Sequence, residues 1–247
     1  MMDANFIPSV ALVTGGAVRV GKVIALSLAR AGYDIALHYC SSQEEAKKTA
    51  SLIEKEGRKV TLHKYDLADV SQCSALIDDV MSQHGALDVL VNNSSVIHEI
   101  SFLDTPEEVF DLQMNLNYKA PFFLTQYFAK NRKSDKVGNV VNILDTYINR
   151  SAQPYFSYLL SKKVLAELTK MSARALGPVI RVNGVAPGIV LPSPGGRGEE
   201  YMAARGKKLP LASVANTDYV ANAVLQLIDN PAVTGQILYI DGGEHLI

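Results

Sequence analysis

The stretch VTGGAVRVGK, residues 13–22, decides how the chain is read. Before it lies SVALVT (9–14), an apolar, β-branched run with the look of a buried strand. After it lies VGKVIALSLARAG (20–32), an amphipathic helical pattern closed by Gly32. Gly15 and Gly16 let the chain turn tightly between the two, and Gly21 lets the start of the helix pack close to the strand. Free N–H groups and the helix dipole at such a turn suit a pyrophosphate. A bare glycine-rich turn says little. At the first strand–helix junction it points to dinucleotide binding.

The same alternation continues outward. Strands are read at 34–39, 59–67, 87–93, 139–144, 179–188 and 236–243. Helices are read at 42–57, 70–85, 106–132, about 154–176 and 217–230, the last with Thr217 as its cap. Strictly alternating apolar strands and helices predict a single α/β domain over residues 1–247. Its fold is a doubly wound Rossmann domain, a parallel seven-stranded sheet with helices on both faces. One segment breaks the rhythm. Residues 189–213 are rich in Pro, Gly and charge and follow the sixth strand, on the edge of the sheet where such folds bind ligands. They are read as a substrate-covering lid with a short helix near 199–206, against the alternative of a plain surface loop.

Composition narrows the class. A length of 247 residues with 48% hydrophobic content supports one sizeable core. A net charge of −1 gives no bulk field for nucleic acid or an anionic membrane. Two cysteines, Cys40 and Cys73, fit a reducing cytosol better than a disulfide framework; Cys40 reads as a buried free thiol, against the alternative of a contact with the cofactor ribose. The first residues carry no basic segment of a secretory signal, and no stretch is long and apolar enough for a membrane helix. The expectation is a cytoplasmic enzyme-sized domain with a small-molecule substrate. His63, His84 and His245 have no partners at metal-ligand spacing, so no metal site is expected.

The end of the second strand, His38-Tyr39-Cys40-Ser41-Ser42, lacks the acid that commonly holds the ribose hydroxyls of NAD. Arg19 and Lys22 stand nearby in the chain as positive charge, and Ser41 and Ser42 offer hydroxyl donors. This favours the 2′-phosphate of NADP(H). The plain structural reading makes His38 and Tyr39 packing residues and Ser42 a helix cap, and the two readings are compatible.

The carboxyl half carries the chemistry. Tyr158 and Lys162 lie four apart on one helix and share a face. A cation beside a phenol lowers a pKa that is otherwise about 10. Asp145 follows the strand 139–144. It can cap a turn there, or it can hold a proton and pass it to a ring nitrogen. Tyr147 and Tyr155 read as packing or lid residues.

With these residues in view, the chain resembles the short-chain dehydrogenase/reductase family along nearly its whole length. The resemblance is carried by TGGAVRVG, by Asp66-Leu67, by NNSS (92–95) and by NLNYKAPF with Asn117. YLLSK with Tyr158 and Lys162, VNGVAPG ending in Pro187 and Gly188, and DGG at 241–243 complete it. It implies that Gly15, Arg19, Val20, Gly21, Asp66, Leu67, Asn93, Ser94, Ser95, Pro187 and Gly188 contact the cofactor, and His38, Tyr39, Ser41, Ser42, Tyr158 and Lys162 are expected to contact it as well. It further implies that Lys162 bonds the nicotinamide ribose, that Asn117 holds a relay water, and that the protein is a homotetramer. Arg19 in the glycine turn and Asp145 in place of the usual Ser are similar to the pteridine reductase branch. There NADPH reduces pterins, and the turn arginine reaches both cofactor phosphate and pterin. That branch implies substrate contacts from Arg19, Ser95, Ile97, Asp145 and Tyr158. Ile97 is an aliphatic cover at a place where such enzymes often carry an aromatic ring. The leading expectation is therefore an NADPH-dependent pteridine reductase. The alternatives are a carbonyl or 3-oxoacyl thioester reductase and a non-catalytic NADP sensor.

Overall fold

The computed structural model describes residues 9–132, 135–151, 154–192 and 198–247. Residues 1–8, read above for a targeting signal, lie outside these, as do residues 193–197 of the expected lid.

Seven parallel strands form one sheet in the order β3-β2-β1-β4-β5-β6-β7. They are β1 (Val10–Val13), β2 (Asp34–Tyr39), β3 (Val60–Lys64), β4 (Val89–Asn92), β5 (Gly138–Ile143), β6 (Ile180–Pro187) and β7 (Ile237–Ile240). Helix α1 (Arg19–Arg30) shows why the layers form. Its buried residues Gly21, Ile24, Ala25, Leu28 and Ala29 follow helical spacing and face the sheet. Each large one contributes about 1.5–3 kcal/mol by leaving water. Strand β1 is buried at all four positions, as a strand covered on both faces must be.

One side of the sheet packs on α1, α2 (Gln43–Lys55) and α8 (Thr217–Asp229), the other on α3 (Gln72–His84), α5 (Ala120–Asn131) and α6 (Phe156–Leu176). The chain winds outward from β1 to β3 and then returns to place β4 on the other flank of β1. That reversal opens a crevice at the strands' carboxyl ends.

Three local expectations change. The helix read over 106–132 divides into α4 (Glu107–Met114), a π-helical turn (Asn115–Lys119) and α5. The cap of α8 is Asn216, whose side chain accepts from the Tyr219 N–H; Thr217 is the first helical residue. Ser42 occupies the cap position of α2 without a side-chain capping bond. A helix does form at Glu199–Gly206, labelled α7. No helix among the described residues is long and apolar enough to cross a membrane.

Candidate active site

The first wall of the crevice is made of backbone. Gly15 has φ +61, a conformation that L side chains rarely adopt. At Gly21 any Cβ would drive into the Gly15 carbonyl and the Asn93 amide, so the helix start can approach the strand only as glycine. The turn opens on a groove of about 470 Å³. Gly15, Arg19, Val20 and Gly21 line one side, and His38, Tyr39, Cys40, Ser41 and Ser42 line the end of β2. Asp66 and Leu67, with Asn93, Ser94 and Ser95, close the far side. The sole carboxylate among these, Asp66, is engaged by the Ala68 N–H at 3.0 Å. The exposed guanidinium of Arg19 faces the same groove. A phosphate-bearing dinucleotide fits this set, and the donors at Ser41, Ser42 and Arg19 suit a 2′-phosphate.

His38 turns out to serve the turn itself. Its Nδ1 accepts from the Gly15 N–H at 3.0 Å, and its Nε2 lies 3.1 Å from the Tyr65 carbonyl. The two partners require the neutral tautomer with hydrogen on Nε2. Burial pushes its pKa down to about 4. The ring supports the turn from beneath, so its polar atoms are not free for the cofactor. Cys40, expected to be buried, is exposed on the groove rim.

The segment after β4 is clamped to the turn. Asn93 Nδ2 donates to the carbonyls of Thr14 (2.8 Å) and Gly15 (3.2 Å), and Thr14 Oγ1 accepts from the N–H groups of Asn93 and Ser94. Asn117, at the centre of the π-helical turn, has all its side-chain capacity in use. Its Oδ1 accepts from the Ser95 hydroxyl and the Val96 N–H, and its Nδ2 donates to the Val96 carbonyl and the Ser161 hydroxyl. The Asn117 side chain is therefore a clip that ties the segment after β4 to α6. Ser95, expected at the substrate, spends its hydroxyl on that clip and lines the dinucleotide groove.

Asp145, Tyr158 and Lys162 meet at the carboxyl end of β5. Asp145 caps the 3-10 turn Thr146–Asn149, its Oδ1 accepting from the Tyr147 N–H at 2.8 Å. Its Oδ2 accepts from the Tyr158 hydroxyl at 3.0 Å. The capping reading is thus met by one oxygen, which leaves the other to bond Tyr158. The Lys162 ammonium donates to the Ile143 carbonyl at 2.9 Å and stands 5.9 Å from the centre of the Tyr158 ring.

Burial sets the electrostatics. It raises the Asp145 carboxyl above the usual range, against the Tyr147 N–H, Tyr158 and Lys162, while Glu244 pushes in the same upward direction. Tyr158 is raised well above 10 by burial and by Asp145. Lys162 is lowered to about 8 by burial. The expected lowering of the phenol needs an oxidised nicotinamide beside Lys162; without it, burial and Asp145 keep the phenol protonated, with its hydroxyl donating to Asp145.

Beyond this pair lies a second cavity of about 460 Å³. Arg19, Ile97, Gly188 and Met202 line it with Asp145, Tyr158 and three further tyrosines, Tyr147, Tyr155 and Tyr201. Ile97 is 55% exposed, so the cover at that place is aliphatic, while the aromatic surface comes from the tyrosines. Arg19 lines both spaces and donates to the Pro192 carbonyl at 3.0 Å. Pro187 ends β6 just before Gly188. Arg205 and Glu244, which sequence reasoning passed over, join at this cavity. Arg205 lines it, and buried Glu244 accepts from Arg205 Nη2 at 2.6 Å. The local sequence around Glu244, DGGEHLI, gives no sign that its carboxylate is buried. Among the described residues no cluster of three His, Cys, Asp or Glu side chains is arranged to hold a metal.

The family profile described as enoyl-(acyl carrier protein) reductase matches residues 16–245. The 3-oxoacyl-(acyl-carrier-protein) reductase FabG of Staphylococcus aureus (strain N315) is 32% identical over 241 residues, covering 96% of this chain and 98% of that one. FolM alternative dihydrofolate reductase 1 from Brucella canis, solved complexed with NADP, superposes with a TM-score of 0.93 at 33% identity, covering 99% of this chain and 97% of that one. Acetoin dehydrogenase YohF from Salmonella typhimurium superposes with a TM-score of 0.88 at 28% identity, covering 97% and 96%.

Proposed function

The chain belongs to the short-chain dehydrogenase/reductase family, and from that premise we propose that it reduces the C=N bond of a pterin or dihydropterin with NADPH. The observation that carries this reading is the buried Asp145 carboxylate, 3.0 Å from the Tyr158 hydroxyl and facing the cavity that Arg19 shares with the dinucleotide groove. The likeness to FolM from Brucella canis supports it.

NADP(H) fits the groove at the glycine turn, with Ser41, Ser42 and Arg19 toward the 2′-phosphate and Gly188 toward the nicotinamide. Bound NADPH supplies the hydride. Reduction of C=N places hydride on carbon and requires a proton on nitrogen. Tyr158 and Asp145 share a hydrogen-bonded proton whose donor forms are both favoured by burial. The pair gives one proton to the ring nitrogen and recovers it from solvent. Lys162, held by the Ile143 carbonyl, keeps positive charge near the pair as it becomes anionic. The tyrosines and Ile97 line the cavity with rings and an aliphatic side chain against which a planar heterocycle can stack, while Arg19 and Asp145 offer it polar partners. Ile189, Val190 and Leu191, with Tyr201, Met202 and Arg205 of α7, line that slot and act as its lid, and the protein works in the cytoplasm. The exposed Phe110 on α4 and Phe122 on α5 would be covered in a homotetramer.

A second reading is reduction of a carbonyl, such as a 3-oxoacyl thioester, and the identity to FabG favours it. NADPH and NADH oxidation should be measured with dihydropterin and with an acetoacetyl thioester, for the wild type and for Asp145→Ser. The pterin reading expects rapid NADPH-dependent dihydropterin turnover that falls roughly 10²-fold or more in Asp145→Ser. Full dihydropterin activity in that variant removes the carboxylate from the proton path. Turnover confined to the thioester selects the second reading.

A further inference from the structure

The hydrogen bond from the Tyr147 N–H means that the aim of the Asp145 carboxylate follows the 3-10 turn at 146–149. That turn is gripped from the far end of the chain. The Thr146 hydroxyl donates to Asp241, and the Tyr147 hydroxyl donates to Glu244 Oε1 at 2.8 Å. Arg150 donates to the backbone carbonyls of Glu244 and Ile247, and its guanidinium lies 4.7 Å from the centre of the Tyr147 ring. Arg205 on α7 completes the grip. It donates to Glu244 Oε1 through Nε (3.0 Å) and Nη2 (2.6 Å), and to the Tyr147 hydroxyl at 2.5 Å.

Hydride transfer and the proton path use neither Glu244 nor Arg205. Yet the Glu244 side chain is only 1% exposed, and a carboxylate that deep is costly unless paired. Three bonds converge on one of its oxygens. We infer that Glu244 and Arg205 are positioning residues for Asp145: their ion pair, closed on the Tyr147 hydroxyl, aims the carboxylate and sets the charge it feels.

The charged and titratable groups around Asp145 make the second half of this inference specific. From α6 it faces Tyr158 and Lys162, with Tyr155 just ahead of that helix. Tyr147 is on its own turn, and Glu244 comes from the C-terminal turn. Arg205 and Arg19 stand on the cavity wall. Glu244 favours the protonated form of Asp145 and Lys162 opposes it. Arg205 neutralises Glu244 in part. Removing either member of the ion pair should therefore move Asp145 in opposite directions, which loss of packing alone would not do.

The inference rests on Asp145 as a proton-holding group, and its main test needs no substrate. The carboxyl carbon of Asp145 is titrated by ¹³C NMR in the full-length protein and in Glu244→Gln, Arg205→Met and the double variant. The pH profiles of kcat and KM for dihydropterin reduction are measured alongside. Glu244→Gln should lower the Asp145 midpoint by roughly 0.5–1 pH unit and Arg205→Met should raise it by a similar amount. The double variant, which leaves no bare buried charge, should return close to the wild type. The descending limb of the kcat profile should shift in the same directions, with kcat changing more than KM. Shifts of the same sign in both single variants, or an unchanged midpoint, overturn the inference. If Arg205→Met does not fold, Arg205→Lys takes its place, with Glu244→Gln still required to lower the midpoint. Absence of dihydropterin turnover in the wild type would count against the proposed substrate alone, leaving the NMR result to decide this inference.

Discussion

The two ends of the crevice hold their ligands by different means. At the dinucleotide end, shape comes from backbone, and the buried titratable group is a neutral imidazole whose two nitrogens are both engaged. At the substrate end, shape and chemistry come from side chains, and the buried groups are a carboxylate, a phenol and an ammonium. A neutral, fully bonded histidine stiffens a loop without adding charge where a phosphate must sit. A carboxylate with one oxygen spent on a cap and the other on a phenol can still exchange a proton.

The largest effect that would test this contrast is expected at Tyr158. Tyr158→Phe removes the donor while keeping the ring. It should cut kcat for NADPH-dependent reduction by roughly 10²–10⁴-fold, with NADPH affinity by fluorescence titration nearly unchanged. A comparable loss of NADPH affinity would mean that the two ends are not separable. Gly21→Ala should act the other way round. Its methyl has no room against the Gly15 carbonyl and Asn93. The Kd for NADPH should therefore rise roughly tenfold or more, a loss of about 1.4 kcal/mol or greater. An unchanged Kd would show that the turn is not the cofactor's seat.

A further effect concerns stability. His38 has a folded-state pKa of about 4, below the unfolded value of about 6.5. Its contribution to stability is therefore complete above about pH 6.5 and is lost as the pH falls through the folded-state value near 4. The linked loss is on the order of 3 kcal/mol. Urea unfolding between pH 7 and 4 should show it, and His38→Gln should flatten the curve. A slope remains in that variant, because His63 and His84 are also lowered by burial. No difference between variant and wild type across that window would remove His38 from the turn's support.

Much of the dinucleotide end was legible residue by residue. Gly15 and Gly21 announce a turn and a close approach, and the structure finds both for the reasons the residue type suggests. The short helix at 199–206 was legible from its local pattern. The π-helical turn at Asn115–Lys119 was not, because nothing in NLNYK departs from a helical pattern until Asn117 is pulled toward Ser95, Val96 and Ser161. His38 was read for the cofactor, with packing as the alternative; its grip on the Gly15 N–H depends on the neighbouring strand and was not legible. The strand end at Tyr39 was read correctly, but that the next residue, Cys40, lies open on the groove rim depends on how the turn after β1 and the segment after β3 dock beside it.

By itself, the sequence determined the alternation of seven strands with their helices, the glycine turn, and the pairing of Tyr158 with Lys162 on one helical face. All of these are written within about a dozen residues of the chain, where apolar period, glycine and helical spacing act directly. Only the tertiary structure decided which oxygen of Asp145 meets Tyr158. Only it showed that the Asn117 side chain clips Ser95 and Val96 to Ser161, and that Glu244 reaches Tyr147 across 97 positions. Those facts depend on how distant segments dock, and a buried charge shows its cost and its partner only once water has been excluded around it.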